Sequence, residues 1–170
     1  MLESHRDLDE FREHFSDNIA GISKLFDAGI IGSAVFVDDV LVGYMWYATE
    51  KMYEEKYNYT FHLKEEQVYQ TAGYLIPMHR GRLMVLDGMK YGQDYFKERD
   101  FKTTMCVVDT EDQPIMRLHF KLGFEEIGKL LHTRKLLFYR WSRVEHYEGT
   151  RYDAFKGPRR AGGGIDGGGR

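Results

Sequence analysis

The residues Pro77-Met78-His79-Arg80-Gly81-Arg82 combine types that suit an anion. Proline has no amide to give to a strand ladder, so it should end the run of strand formers before it. Two arginines then flank a glycine, and a helical pattern begins at Arg82. The first amides of a helix lack internal partners and carry partial positive charge, which favours phosphate. Arg80 and Arg82 would add full charges and several donors. Gly81 would let the backbone approach a ligand closely. An ordinary strand-to-helix turn with two solvated arginines accounts for the same residues, because short Gly/Arg motifs are common.

Other reactive residue types are scattered. His5, His14, His62, His79, His119, His132 and His146 show no zinc-like spacing with Cys106, so no metal site is expected. Cys106 sits among strand formers with no base nearby in sequence, which points to packing rather than to a nucleophile. Glu65 and Glu66 open a strand and read first as solvated acids. Tyr53, Tyr57, Tyr59 and Phe61 could line a pocket or fill a core.

The elements that must position these groups follow from periodicity. Leu8, Phe11, Phe15, Ile19, Ile22 and Phe26 recur at helical spacing, so residues 8–27 are expected to be helical, with Asn18 and Gly21 as a possible break and Ala28-Gly29 as the stop. Residues 33–37 and 40–48 read as a hairpin around Asp38-Asp39. Residues 49–65 fit neither period and read as an excursion with room for one short strand. Residues 67–76 read as a third strand, 82–99 as a helix and 101–108 as a strand. Residues 112–122 read as a short helix capped by Asp112, with Pro114 in its first turn and Gly123 at its end. A last hairpin is expected from 124–131 and 135–141. This order predicts an α/β fold: a mixed, mainly antiparallel central sheet with helices on both faces.

The chain has 170 residues, 42% hydrophobic and 30% charged, with a net charge of -3. That suits one domain with a packed core, expected over 1–142, and a polar, Gly-rich tail over 143–170 whose end is flexible. Arg151, Lys156, Arg159 and Arg160 give the tail some basic character. Glu145, Glu148 and Asp153 dilute it, which argues against nucleic acid as a partner. Residues 1–7 carry no apolar run and no stretch is long enough to span a bilayer, so no secretory leader and no membrane partner are expected. With a single cysteine, a cytoplasmic setting is the expectation.

Two segments resemble the GCN5-related N-acetyltransferase (GNAT) superfamily. The family's V-x-P-x-x-R-G-x-G-x-G/A segment stands here as Leu75-Ile76-Pro77-Met78-His79-Arg80-Gly81-Arg82-Leu83-Met84-Val85. Its N-x-x-A-x-x-L-Y-x-K-L-G-F segment stands as Asp112-Gln113-Pro114-Ile115-Met116-Arg117-Leu118-His119-Phe120-Lys121-Leu122-Gly123-Phe124. The resemblance covers about residues 8–141. It implies transfer of an acetyl group from acetyl-CoA to an amine of a small molecule or protein by direct attack, without a metal. It places the coenzyme on Leu75, Ile76, Arg80, Gly81, Arg82, Leu83, Met84, Val85 and Asp112, with Leu75 and Ile76 acting through their main chain.

By the same resemblance, His119 stands where the family has a tyrosine that protonates the departing thiolate. Glu66 is the candidate base, with Glu65 and His62 behind it. Leu83 and Val85 replace two family glycines, and Asp112 replaces an asparagine. Bulky residues at glycine positions leave open a catalytically degenerate binding or structural protein of the same fold. Exposed sheet edges suggest a homodimer.

Overall fold

The computed structural model describes residues 1, 11, 15, 19–80 and 84–155. Residues 81–83 and 156–170 lie outside that set, and so do most residues before 19. The expectations placed on Gly81, Arg82, Leu83 and the Gly-rich tail therefore fall outside the described residues. The chain forms two compact units, Met1–Val107 and Val108–Arg170.

In the first unit, helix α1 spans Ile19–Asp27. Gly21 lies inside it rather than breaking it. Gly29 ends it at φ +70, a conformation that glycine adopts without a Cβ clash. A sheet follows in the order β1 (Ile31–Val37), β2 (Val40–Ala48), β5 (Gln67–Leu75), β6 (Thr103–Met105). β1–β2 and β2–β5 are antiparallel, while β5–β6 is parallel. The turn at Asp38 and Asp39 has φ of 49 and 63, the paired left-handed geometry that matches hairpin twist.

The excursion at 49–65 is a hairpin of its own, β3 (Lys51–Glu54) with β4 (Tyr59–His62). Its mixed aromatic and charged residues belong to two four-residue strands, too short to show a clear period. Helix α2 spans Met84–Lys97, after a 310 turn at Pro77–His79.

α2 packs closely on the sheet. A Cβ at Gly92 would lie 1.9 Å from the Tyr47 hydroxyl, and one at Gly88 3.1 Å from Val35. The two helical glycines thus trade propensity for close approach. On this side Tyr47, Val68 and Phe96 pack together. The larger core holds Phe11, Phe15, Phe26, Tyr44, Trp46, Met52 and Tyr69. Phe26 meets Trp46 edge-on at 5.2 Å, and Gly32 leaves the indole its space.

β6 is shorter than the strand expected over 101–108. It pairs only through Gln67 with Thr103, Val68 with Thr104 and Tyr69 with Met105. Beyond Tyr69 the two strands part, and strand propensity without a ladder partner does not make a strand.

In the second unit, α3 spans Gln113–Lys121. The Ile115 amide donates to Asp112 Oδ1 at 3.2 Å, and Gly123 at φ +87 follows the helix. β7 (Lys129–Leu136) and β8 (Tyr139–His146) form a separate hairpin. The expected hairpin was placed several residues too early. The polar His132-Thr133-Arg134 reads as a turn, yet the chain turns at Leu137-Phe138. The expected boundary at 142 falls inside β8. Past it, the Arg151 and Tyr152 amides both donate to the Glu126 carboxylate at 2.9 Å.

Candidate active site

The site is built from the fork between β5 and β6. β5 continues from Gln70 to Leu75 after its pairing with β6 ends at Tyr69. β5 is also kinked in this stretch. Tyr44 pairs with Tyr74 and Trp46 with Thr71, so Met45 alone faces Ala72 and Gly73. Ala72 takes φ 43, unusual for a residue with a Cβ. This bulge re-aims the peptide groups that follow.

The Ile76 amide donates to Val42 O at 2.9 Å. Strand alternation therefore turns the amide and carbonyl of Leu75 away from β2, toward the open side of the fork. Of the two main-chain contacts expected of Leu75 and Ile76, the Ile76 amide is spent on the sheet. Its carbonyl accepts from the His79 amide at 2.9 Å. The Leu75 amide is the donor that faces the fork.

Arg80 is held to the same strand end. Its Nε donates to Leu75 O at 2.9 Å, and its guanidinium lies 5.6 Å from the Tyr74 ring centroid. The residue remains exposed. A guanidinium anchored through Nε keeps its two terminal nitrogens for an anion.

The structure sets Glu66 apart from this end. Its carboxylate pairs with the Lys102 ammonium, and its carbonyl accepts from the Lys102 and Thr103 amides. Nine residues separate it from Leu75, about 30 Å along an extended strand. Glu66 clamps the closed end of the fork. His62 and Glu65 are exposed.

A different carboxylate stands at the opening. Glu54, at the end of β3, is half-buried and accepts a hydrogen bond from the Thr71 hydroxyl. Tyr69 also hydrogen-bonds it. The Tyr69 phenol is pushed far above its ordinary pKa, first by burial and then by the Glu54 charge. Thr71 is the second residue of β5 past the pairing with β6, next to the bulge. Aromatic rings wall this corner. Phe61 stacks on Tyr69 at 4.8 Å and meets Tyr59 edge-on at 4.8 Å. Nothing in the sequence marks Glu54 as a candidate by motif or spacing. The available signal was an acid inside an aromatic-rich excursion.

Cys106 lies just past β6, and burial pushes its thiol up to about 12. That fits packing and leaves little thiolate at neutral pH. Among the described residues, no group of three or more His, Cys, Asp or Glu could hold a metal. No helix among them is long and apolar enough to cross a membrane.

In the second unit, His119 lies on α3. Its Nδ1 is 2.9 Å from Ile115 O, and its ring meets Phe124 edge-on at 5.0 Å. A carbonyl only accepts, so Nδ1 carries the proton and the neutral ring presents Nε2 as a lone pair. Burial lowers the His119 pKa, partly opposed by the Ile115 bond. The resting imidazole is thus an acceptor at Nε2, and it donates from there only as imidazolium. Asp112, expected at the coenzyme, caps α3 through Oδ1.

A mixed sheet that forks beside a bulged strand, followed by an arginine-bearing turn into a helix, defines the class of fold. It is the GNAT fold. An aminoglycoside N-acetyltransferase, AAC(6')-Iy in complex with CoA, superposes with a TM-score of 0.58 at 16% identity, covering 78% of this chain and 96% of its own. An N-acetyltransferase from Staphylococcus aureus Mu50 gives 0.58 at 13% identity over 86% and 94%. A ribosomal-protein-alanine N-acetyltransferase from Brucella melitensis biovar Abortus 2308 gives 0.54 at 14% over 79% and 94%. No protein-family model and no curated protein matches the chain. At these identities the superpositions establish the fold alone.

Proposed function

We propose that the protein is an acetyl-CoA-dependent N-acetyltransferase acting on an amine of a small molecule or protein. The observation that carries this is the fork. It opens at a bulged strand, turns the Leu75 amide into the gap, and ends at Arg80. Acetyl-CoA offers a thioester carbonyl that needs a hydrogen-bond donor and a pyrophosphate that needs a cation. A solved neighbour, the aminoglycoside N-acetyltransferase, is in complex with CoA.

The reaction needs three services. The Leu75 amide polarises the thioester carbonyl as negative charge builds on its oxygen. Arg80, with Gly81, Arg82 and the first amides of α2, holds the phosphates, so binding energy positions the thioester. Glu54 receives the acceptor ammonium between aromatic walls and takes its proton. The nitrogen attacks the carbonyl carbon, the C–S bond breaks, and the thiolate leaves. The resemblance assigns the thiolate's proton to His119 as imidazolium.

Glu54 replaces Glu66 as the proposed base on geometric grounds. It stands beside the opening with one oxygen on Thr71, whereas Glu66 is paired with Lys102 at the far end. Asp112 serves α3 as cap in this reading.

Thermal unfolding followed during acetyl-CoA titration tests the proposal. Ligand at 100 times its dissociation constant stabilises the native state by about 2.7 kcal/mol. Arg80→Ala should weaken binding about tenfold, since it removes charge-assisted bonds worth about 1.5 kcal/mol or more. No shift at millimolar acetyl-CoA sinks the reading. Binding without turnover on any amine favours the degenerate alternative, which Leu83 and Val85 at glycine positions motivate.

A further inference from the structure

The tip of the β7–β8 hairpin breaks the usual chemistry of tight turns. Two-residue hairpin turns favour Asn-Gly or Asp-Gly, because the central residues need positive φ. Here they are Leu137 and Phe138, with Leu137 at φ 53. Leu137 is 76% exposed and Phe138 94%. The flanking pair, Leu136 and Tyr139, is exposed as well. Folding gains nothing from large apolar side chains at these positions. Their presence points to a surface they meet.

Charge identifies that surface. Between residues 129 and 144 the chain carries Lys129, Arg134, Lys135, Arg140 and Arg143, and no Asp or Glu. The register orders these groups by depth. Leu136 and Tyr139 form the first row behind the turn, and Lys135 and Arg140 face each other across the strands. Arg134 pairs with Trp141. Side chains alternate between faces, so Leu136, Tyr139, Arg134 and Trp141 share one face. Two residues of strand place the Arg134–Trp141 row about 7 Å behind the Leu136 row. The order is apolar tip, then Arg with Trp. It matches a lipid interface, where acyl chains lie deeper and phosphates with aromatic rings lie above them.

We infer that this hairpin tip inserts into the surface of an anionic lipid bilayer. Leu136, Leu137 and Phe138 enter the acyl boundary, while Arg134 and Lys135 meet lipid phosphates. The expectation of no membrane partner rested on the lack of a spanning segment, and a surface contact needs none. A second copy docking tip to tip would bring like-charged hairpins together. Single-stranded nucleic acid would stack on Phe138 and Tyr139 but would leave Leu136 and Leu137 in water.

The test uses the full chain and vesicles of phosphatidylcholine, alone or with about one third phosphatidylserine. Cosedimentation with the phosphatidylserine vesicles should be strong, should fall from about 0.1 M to about 1 M salt, and should be weak on phosphatidylcholine alone. Trp141 fluorescence should shift to the blue on binding, against a constant signal from buried Trp46. The double variant Leu137→Asn with Phe138→Gly keeps a favourable turn, so the hairpin survives. It should lower vesicle partitioning about a hundredfold, the loss expected for one Leu and one Phe leaving an apolar phase. Unchanged partitioning in that variant overturns the inference, as does failure of the wild type to bind. A wild-type dimer that the variant dissociates assigns the tip to a second copy instead. Binding to single-stranded oligonucleotide but not to vesicles assigns it to nucleic acid.

Discussion

The two ends of β5 differ in every respect that matters for chemistry. At the start, the strand pairs with β6 on one side, and Glu66 is neutralised by Lys102. At the far end, the β6 ladder has stopped, a bulge at Ala72 has turned the backbone, and the Leu75 amide faces the gap. Arg80 is tied back to Leu75 O. One end is closed by strand pairing, and the other is left open. The two carboxylates follow the same division. Glu66 holds strands together, while Glu54 stands at the opening with Thr71 and Tyr69.

That contrast can be broken most sharply at Glu54. Glu54→Gln keeps the hydrogen bond from Thr71 but removes the charge and the proton acceptor. Steady-state kinetics on a small primary amine should show kcat/KM falling about a hundredfold or more, the usual loss of a general base. Acetyl-CoA binding should be unchanged. A drop in coenzyme affinity instead would move Glu54 from the acceptor side to the coenzyme side.

His119 gives a smaller and pH-dependent effect. Its folded pKa is lowered by burial, so the folded state disfavours the imidazolium. The contribution to stability is present above the unfolded value of about 6.5 and is lost as pH falls through the folded value. Replacing His119 by Phe should flatten the decline in denaturant midpoint over that acidic window and also lower turnover. If the variant shows the wild-type decline and full turnover, the residue has neither role.

The smallest effect belongs to the closed end. Glu66→Gln removes an exposed ion pair, which costs at most about 1 kcal/mol of stability. Turnover should be retained. A large loss of turnover with native stability would restore Glu66 as the base and undo the contrast.

Much of the fold was legible because local patterns and tertiary structure agree. Asp38-Asp39 gave away the first hairpin, and Pro77 marked the end of β5 to within two residues. Asp112, Pro114 and Gly123 bounded α3. Where a neighbour decides, the reading slipped. Val107 and Val108 have strand propensity, but β6 ends at Met105 because its partner has diverged. Leu137-Phe138 carries no turn signature, so the last hairpin was set too early. For the candidate site, the motif pointed to Arg80, and the structure ties that residue back to Leu75 O. The setting of Glu54 was hidden because its partners, Thr71 and Tyr69, lie across the fold rather than nearby in sequence. The ion pair of Glu66 was hidden for the same reason, since Lys102 is 36 residues away.

In the proposed reaction the open end of β5 binds the coenzyme through a main-chain donor. Backbone amide spectra of 15N-labelled protein, recorded during acetyl-CoA titration, read that donor directly. The Leu75 amide should move by far more than the Ile76 amide, which is held by Val42, or the Val68 amide at the closed end. Saturable shifts confined to the closed end, with Leu75 unmoved, would contradict the account.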